Sequence, residues 1–107
     1  MPEKLNVLFM FADQMHAFAM GCMGNDEIAT PNLDRLASEG TLFKNCYSNA
    51  PVCTPFRATL VSGLYGSQTD TLHNCACVPE GTRTLAASLN DGGVRTSWVG
   101  KWHLGDK

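Results

Sequence analysis

A cysteine followed by an arginine four residues later is the first pair in this 107-residue sequence that could do chemistry. Cys53 precedes Pro55, which favours the first turn of a helix, and Arg57 follows one turn later. The amino end of a helix favours negative charge, and Arg57 on the same face adds a fixed positive charge. The pattern suits a nucleophile or an anion site, while a buried structural cysteine with Arg57 in a surface ion pair fits the same spacing.

Two further candidate groups, Lys101 and His103, follow the apolar segment at residues 94–99. A lysine ammonium binds anion oxygens, and a histidine donates a hydrogen bond or a proton near neutral pH. Read alone, this segment is also explained by a solvated lysine and a capping or core histidine.

A third candidate pair, Asp13 and Gln14, follows the apolar run from Leu5 to Ala12. Carboxylate and amide oxygens are ligands for hard divalent cations. An aspartate at the end of a strand is also a common turn or cap residue, so the pair by itself leaves both interpretations open.

The predicted elements place these groups at the ends of strands and helices. The apolar or alternating segments at residues 5–12, 41–47 and 94–99 predict strands. Helices are predicted from Thr30 as N-cap to Gly40, with Leu33, Leu36 and Ala37 on a buried face, and over residues 54–62 and 84–91. Residues 65–83 lack periodicity and predict a long loop. The order predicts an α/β fold, in which ligands bind outside the carboxyl ends of the strands.

Composition excludes several classes of function. The net charge is -2 and the eight Lys and Arg residues form no run, so we expect no nucleic-acid partner. The longest apolar stretch, Val7 to Ala12, is too short to cross a bilayer, so we expect no membrane partner. No leader is seen either. We therefore expect a cytoplasmic protein by default, or a periplasmic or secreted one if a leader was removed. Five cysteines leave at least one thiol unpaired, and Cys75 and Cys77 are too close for an ordinary zinc half-site.

Three segments together resemble the type I sulfatases of the alkaline phosphatase-like superfamily. Cys53-Thr54-Pro55-Phe56-Arg57, continuing to Gly63, is similar to the family signature Cys-x-Pro-x-Arg. Residues 93–103 resemble a second signature, a strand that ends in Gly-Lys-x-His. Residues 6–14 resemble the first strand and its metal-binding Asp pair, with Gln14 in place of the second acid.

The resemblance implies a mostly parallel sheet flanked by helices, of which residues 1–107 would be the amino-terminal portion. It implies that a maturation enzyme oxidises Cys53 to formylglycine, that Arg57 holds the modified residue, and that Lys101 and His103 bind a sulfate ester of a small molecule or glycan. It also implies a divalent cation, Ca²⁺ first and Mg²⁺ or Mn²⁺ as alternatives, held by Asp13, Gln14 and residue 53.

Three functional hypotheses follow from the resemblance. In the first, the chain is part of a sulfatase, and the remaining metal ligands and the leaving-group acid lie beyond residue 107. In the second, which Gln14 permits, the scaffold hydrolyses phosphonates or phosphate diesters. In the third, the piece alone is an inactive remnant or an interaction module, because three strands of a larger sheet would leave an unpaired edge.

Overall fold

The computed structural model describes residues 5–105, which form two compact units divided between Cys46 and Tyr47. The first unit contains two short 3₁₀ turns and one α-helix, and the second contains three α-helices within the described residues. The bounds are Ala17–Ala19 and Gly21–Met23 for the turns, and Pro31–Glu39 (α1), Cys53–Ser62 (α2), Gly66–Thr69 (α3) and Leu85–Asp91 (α4) for the helices.

Helix α1 confirms the prediction made from its capping residues. Thr30 is the N-cap, Pro31 is the first helical residue, and Gly40 is the C-cap. Pro31 fits the first turn because its missing N–H would have had no partner there. The helix therefore begins and ends where the local chemistry of its sequence dictates.

A small polar cluster, the Asp34 hub, joins α1 to the turn before it. Asp34 Oδ1 accepts hydrogen bonds from Cys22 N at 2.7 Å and from the Thr30 hydroxyl at 3.0 Å. The Thr30 hydroxyl in turn accepts one from Gly21 N at 2.8 Å. The Thr30 side chain thus bonds the preceding turn and Asp34 instead of capping its own helix, and the four residues hold the first unit together.

The predicted buried face of α1 is wrong. Leu33 and Leu36 are 37% and 60% exposed, and Ala37 is half-buried. The spacing gives the helix an apolar stripe, but burial also needs a second apolar surface. Within residues 5–105 no sheet lies over that stripe.

Helix α2 confirms its prediction and carries the core of the second unit. Five of its residues are buried, and four of them, Thr54, Arg57, Ala58 and Val61, recur at helical spacing on one face, with Pro55 as the fifth. Ala58 and Val61 pack with Leu104, which is 5% exposed, and with the partly buried Val78. Gly63 ends the helix with a φ of 71°, a left-handed conformation that glycine adopts without steric cost.

Helix α4 also agrees with its prediction, since Thr84 is the N-cap and its hydroxyl accepts a hydrogen bond from Ala87 N at 3.1 Å. The loop predicted over residues 65–83 is wrong at Gly66–Thr69, where α3 forms. The side chain of Gln68 accepts a hydrogen bond from Tyr65 N at 2.9 Å and closes this single turn. Hydrophobic periodicity cannot reveal a helix of four residues.

The predicted sheet is absent from the described residues. Residues 5–12, 41–47 and 94–99 form no strands, and Val7 and Val99 are 90% and 96% exposed. A strand needs a hydrogen-bonding neighbour, and apolar runs of this kind need cover on both faces. Neither is supplied within residues 5–105, so the sheet stays a prediction for the whole protein. The helices of this part of the chain are also too short to cross a membrane.

Candidate active site

Cys53 is the first residue of α2 and is half-buried. The backbone beside it is already engaged: Thr54 N donates to Asn74 Oδ1 at 3.0 Å, and Phe56 N donates to Val52 O at 2.9 Å. Pro55 has no N–H to offer. The chemistry of this helix end therefore rests on the Cys53 side chain rather than on an array of open backbone donors.

Arg57 lies one turn further along α2 and is only 3% exposed. Its Nη1 donates a hydrogen bond to the carbonyl oxygen of Lys101. The indole nitrogen of Trp98 donates to the same oxygen at 3.2 Å. The interpretation of Arg57 as a surface ion-pairing residue is therefore wrong, because this guanidinium is buried and fixes the backbone at residue 101 against α2.

Thr54 joins three segments of the second unit and is completely buried. Its hydroxyl lies 2.9 Å from the carbonyl oxygen of His103 and 3.2 Å from that of Asn74. With the bond from Thr54 N to the Asn74 side chain, these contacts form the Thr54 hub, made of Thr54, Asn74 and His103. Sequence reasoning missed Thr54, because it occupies an unspecified position of the signature and carries no charge.

His103 has an unusual backbone. Its φ is 55°, in the left-handed region, which costs on the order of 1–3 kcal/mol for a residue with a side chain. The next residue, Leu104, enters the core, and its carbonyl accepts a hydrogen bond from Val78 N at 3.3 Å. The ring is half-buried, and its Nδ1 is buried with no hydrogen-bond partner in the described part of the chain. The strained turn thus sends Leu104 inward while the histidine ring stays partly accessible.

The exposed Lys101 side chain lies between two tryptophans in the sequence. Trp98 and Trp102 meet edge to face, with ring centroids 5.1 Å apart and an interplanar angle of 88°. Such aromatic pairs add stability beyond the area they bury. The four predicted catalytic residues are thus gathered around the amino-terminal half of α2, which carries Cys53 and Arg57 and receives the backbone of Lys101 and His103.

Asp13 and Gln14 belong to the first unit and lie on an exposed segment. Their oxygens are the hard donors that Ca²⁺ and Mg²⁺ prefer, so the donor chemistry fits a divalent cation. Two side chains fall short of the roughly six ligands such a cation takes, and residues 5–105 contain no group of three His, Cys, Asp or Glu that could hold a metal. A complete cation site therefore needs ligands in addition to these two.

Comparison with known proteins identifies the family of the chain. The Sulfatase family model matches residues 5–106. The chain is 38% identical over 103 residues to an ulvan-active sulfatase of Formosa agariphila, covering 96% of this chain and 20% of that protein. It is 36% identical over 102 residues to an uncharacterised sulfatase of Escherichia coli strain K12, covering 95% and 20%. It is 35% identical over 119 residues to N-acetylgalactosamine-6-sulfatase of Homo sapiens, covering 99% and 23%.

No solved structure matches the chain significantly. The chain spans 20% of the length of the Formosa and Escherichia relatives, and the family match extends through both compact units. On the family match and these identities, the chain belongs to the sulfatase family.

Proposed function

We propose that the whole protein hydrolyses sulfate esters, with Cys53 as the residue that becomes formylglycine. The observation that carries the proposal is the arrangement around α2. Cys53 opens the helix, Arg57 is buried one turn later, and the backbone of Lys101 and His103 is hydrogen-bonded to the same helix half. Relatives named as sulfatases of ulvan and of N-acetylgalactosamine support a sulfated glycan or small molecule as substrate.

In this proposal a maturation enzyme uses an external oxidant to oxidise the Cys53 side chain, and the sulfur is lost as its Cβ becomes an aldehyde carbon. One hydroxyl of the hydrated aldehyde attacks sulfur, and the alcohol of the ester leaves with a proton. The second hydroxyl then loses its proton, and the aldehyde reforms as sulfate is released. The buried Arg57 holds a fixed positive charge next to residue 53, where water cannot screen it. The arginine also keeps the segment of Lys101 in register with the helix.

Lys101 and His103 bind the sulfate ester in this proposal. The exposed Lys101 ammonium binds sulfate oxygens, and the half-buried His103 ring donates a hydrogen bond or a proton to the ester. A sulfuryl transition state spreads its charge over equatorial oxygens, as a phosphoryl one does, so cations placed beforehand stabilise it.

Asp13 and Gln14 would contribute oxygen ligands to a divalent cation, with Ca²⁺ favoured over Mg²⁺ or Mn²⁺. The cation would neutralise charge on the sulfate oxygens when bound. Gln14 supplies one negative charge less than an acid at that position, which weakens cation binding. This departure permits a second candidate activity, hydrolysis of phosphonates or phosphate diesters on the same scaffold.

The family implies an alkaline phosphatase-like α/β fold. We infer that residues 5–12, 41–47 and 94–99 become strands when the rest of the sheet is present. The support is their apolar composition combined with high exposure, including 90% for Val7 and 96% for Val99. Apolar runs of this length are stable in water only when other elements cover them.

The test uses the whole protein, produced in a host that matures sulfatases. Mass spectrometry at position 53 should show an aldehyde in place of the thiol. Cys53→Ala should lower kcat/KM on a chromogenic sulfate ester by at least about 10³-fold, since it removes the nucleophile. Cys46→Ala, at an exposed cysteine outside the signature, is the control and should keep full activity.

An active protein with an unmodified thiol at position 53, or a Cys53→Ala variant with normal activity, would contradict the proposal. Measuring kcat/KM on matched sulfate and phosphonate esters decides between the two candidate activities. The sulfatase assignment requires the sulfate ester to be the better substrate.

A further inference from the structure

We propose that Thr54 is a positioning residue whose buried hydroxyl holds the backbone of His103 and thereby fixes the His103 ring relative to residue 53. This inference rests on the proposed function, because it concerns the placement of a group in the same reaction. It assigns a role to a position that the sulfatase signature leaves unspecified.

The first step is the contact itself. Thr54 is 0% exposed, and its hydroxyl lies 2.9 Å from the His103 carbonyl oxygen and 3.2 Å from the Asn74 carbonyl oxygen. A hydroxyl has one proton to donate, so the two carbonyls share it and the shorter contact is the one to His103. Thr54 is fully buried among the described residues, so solvent does not contact this hydroxyl.

The second step is the backbone of His103. A φ of 55° is unfavourable for a residue with a side chain and persists only where neighbouring contacts enforce it. Leu104 in the core holds one side of this residue, and the Thr54 hydroxyl holds its carbonyl. The ring has no hydrogen bond at Nδ1 within the described residues, so its position depends largely on the backbone.

The third step is the proximity of Thr54 to the nucleophile. Thr54 follows Cys53 directly, and its backbone N–H is fixed by Asn74 Oδ1 at 3.0 Å. One residue therefore secures the start of α2 through its amide and the turn at His103 through its hydroxyl. A shift of about 1 Å between reacting groups can cost 10²-fold in rate, so a hydrogen bond at this junction bears on catalysis.

A purely structural role is the alternative, in which the hydroxyl does no more than satisfy two buried carbonyls. The second unit offers a matched control in Thr71, which is also 0% exposed. The hydroxyl of Thr71 lies 2.6 Å from that of Thr69, and neither is a candidate catalytic residue. The same substitution at Thr71 removes a similarly buried hydrogen bond away from His103.

The experiment compares Thr54→Val, Thr54→Ser and Thr71→Val in the whole protein, with formylglycine content, kcat and KM measured for each. Thr54→Val should lower kcat between about tenfold and 10²-fold with KM and formylglycine content nearly unchanged. Thr54→Ser keeps the hydroxyl and should restore most of the rate. Thr71→Val should lower the melting temperature while kcat stays within about twofold of the wild type.

A double-mutant cycle with His103→Ala separates positioning from general destabilisation. If Thr54 acts through His103, Thr54→Val should have little further effect on kcat once the ring is gone. Additive losses, or a Thr54→Val variant with wild-type kcat, would overturn the proposal. Should Thr54→Val fail to fold, Thr54→Ala answers the same question, because its smaller side chain leaves space for water at the carbonyls.

These results are distinguishable from a failure of the proposed function. A wild-type protein that lacks formylglycine and sulfatase activity would refute the sulfatase proposal before any Thr54 variant is compared. A wild-type protein that is active and modified, together with an unaffected Thr54→Val variant, would refute only the positioning role.

Discussion

In residues 5–46 a carboxylate joins the elements, whereas in residues 47–105 a threonine hydroxyl does so. The Asp34 hub binds α1 to the turn at Gly21–Met23, and Asp13 and Gln14 are not members of it. The Thr54 hub joins Thr54, which follows the candidate nucleophile Cys53, to Asn74 and to the backbone of His103. The second unit thus organises its candidate catalytic groups with its own contacts, while the first unit fixes a helix and presents its candidate metal ligands on an exposed segment.

The two units also differ in packing, since more residues are buried in the second unit than in the first. Ala58, Val61 and Leu104 form a small core in the second unit, whereas no residue in 5–46 is fully buried. A site that is held by buried contacts of its own unit should lose activity when those contacts are changed. A site on an exposed segment depends on the remainder of the protein for its shape. We therefore expect added cation to restore much of the activity lost when its residues are substituted.

Replacement of Arg57 should produce the largest effect in this comparison. Arg57→Lys keeps the charge but loses the planar set of donors, so the side chain should no longer hold the Lys101 carbonyl in the same geometry. We expect kcat/KM on a sulfate ester to fall by about 10²-fold or more. Steady-state kinetics with formylglycine content as a second measurement checks this.

Arg83→Lys in the same unit is the control for this prediction. Arg83 is 67% exposed and pairs with Asp91 at 2.6 Å on the surface, where such pairs contribute little. The control should keep its activity. Equal losses in Arg57→Lys and Arg83→Lys would show that the second unit does not hold its site through the buried guanidinium.

Replacement of the candidate metal ligands should have a smaller effect that added cation can reverse. Asp13→Asn removes one negative charge and should raise the Ca²⁺ concentration needed for half-maximal activity on the order of tenfold. Gln14→Asp adds a charge and should lower that concentration. After bound cation is removed with a chelator, activity is titrated with Ca²⁺. The concentration for half-maximal activity should rise for Asp13→Asn and fall for Gln14→Asp.

Asp26→Asn, at another exposed acid of the first unit, is the matched control and should leave the titration unchanged. If Asp13→Asn and Gln14→Asp both behave like this control, Asp13 is a turn residue and the cation site lies elsewhere. If extra Ca²⁺ cannot restore the Asp13→Asn variant, the residue has a structural role that the exposed segment does not reveal.

The helices could be predicted from the sequence because their signals are local. Pro31 and Gly40 bound α1, and the Thr84 hydroxyl caps α4, through contacts within a few residues. The same holds for the start of α2, where Pro55 marks the first turn. Capping chemistry is contained in the segment itself, so it survives whatever the rest of the protein does.

The sheet and the Thr54 hub depend on residues far apart in the sequence. The exposed apolar face of α1 needs a covering surface that residues 5–105 do not contain. The segments at residues 5–12 and 94–99, which form no strands in this part of the chain, need neighbouring strands as well. Thr54 reaches Asn74 and His103, which are 20 and 49 residues away. No spacing rule connects such positions, so only the fold reveals that an unremarkable threonine contacts the site.

Replacement of Asp34 should have the smallest effect on catalysis. It tests whether the Asp34 hub stabilises the first unit without positioning the reacting groups. Asp34→Ala leaves the N–H of Cys22 and the hydroxyl of Thr30 without their acceptor, which should destabilise this unit by about 1–3 kcal/mol. Hydrogen exchange of the amides at residues 21–36 should accelerate by about tenfold or more, because the unit opens locally. Asp34→Asn keeps one acceptor oxygen and should exchange at a rate between those of the alanine variant and the wild type.

With Ca²⁺ saturating, kcat of Asp34→Ala should stay within about twofold of the wild type, since the hub contains no candidate catalytic residue. A large loss of kcat in Asp34→Ala with normal exchange elsewhere would mean that the two hubs are coupled and that the first unit also positions the reacting groups.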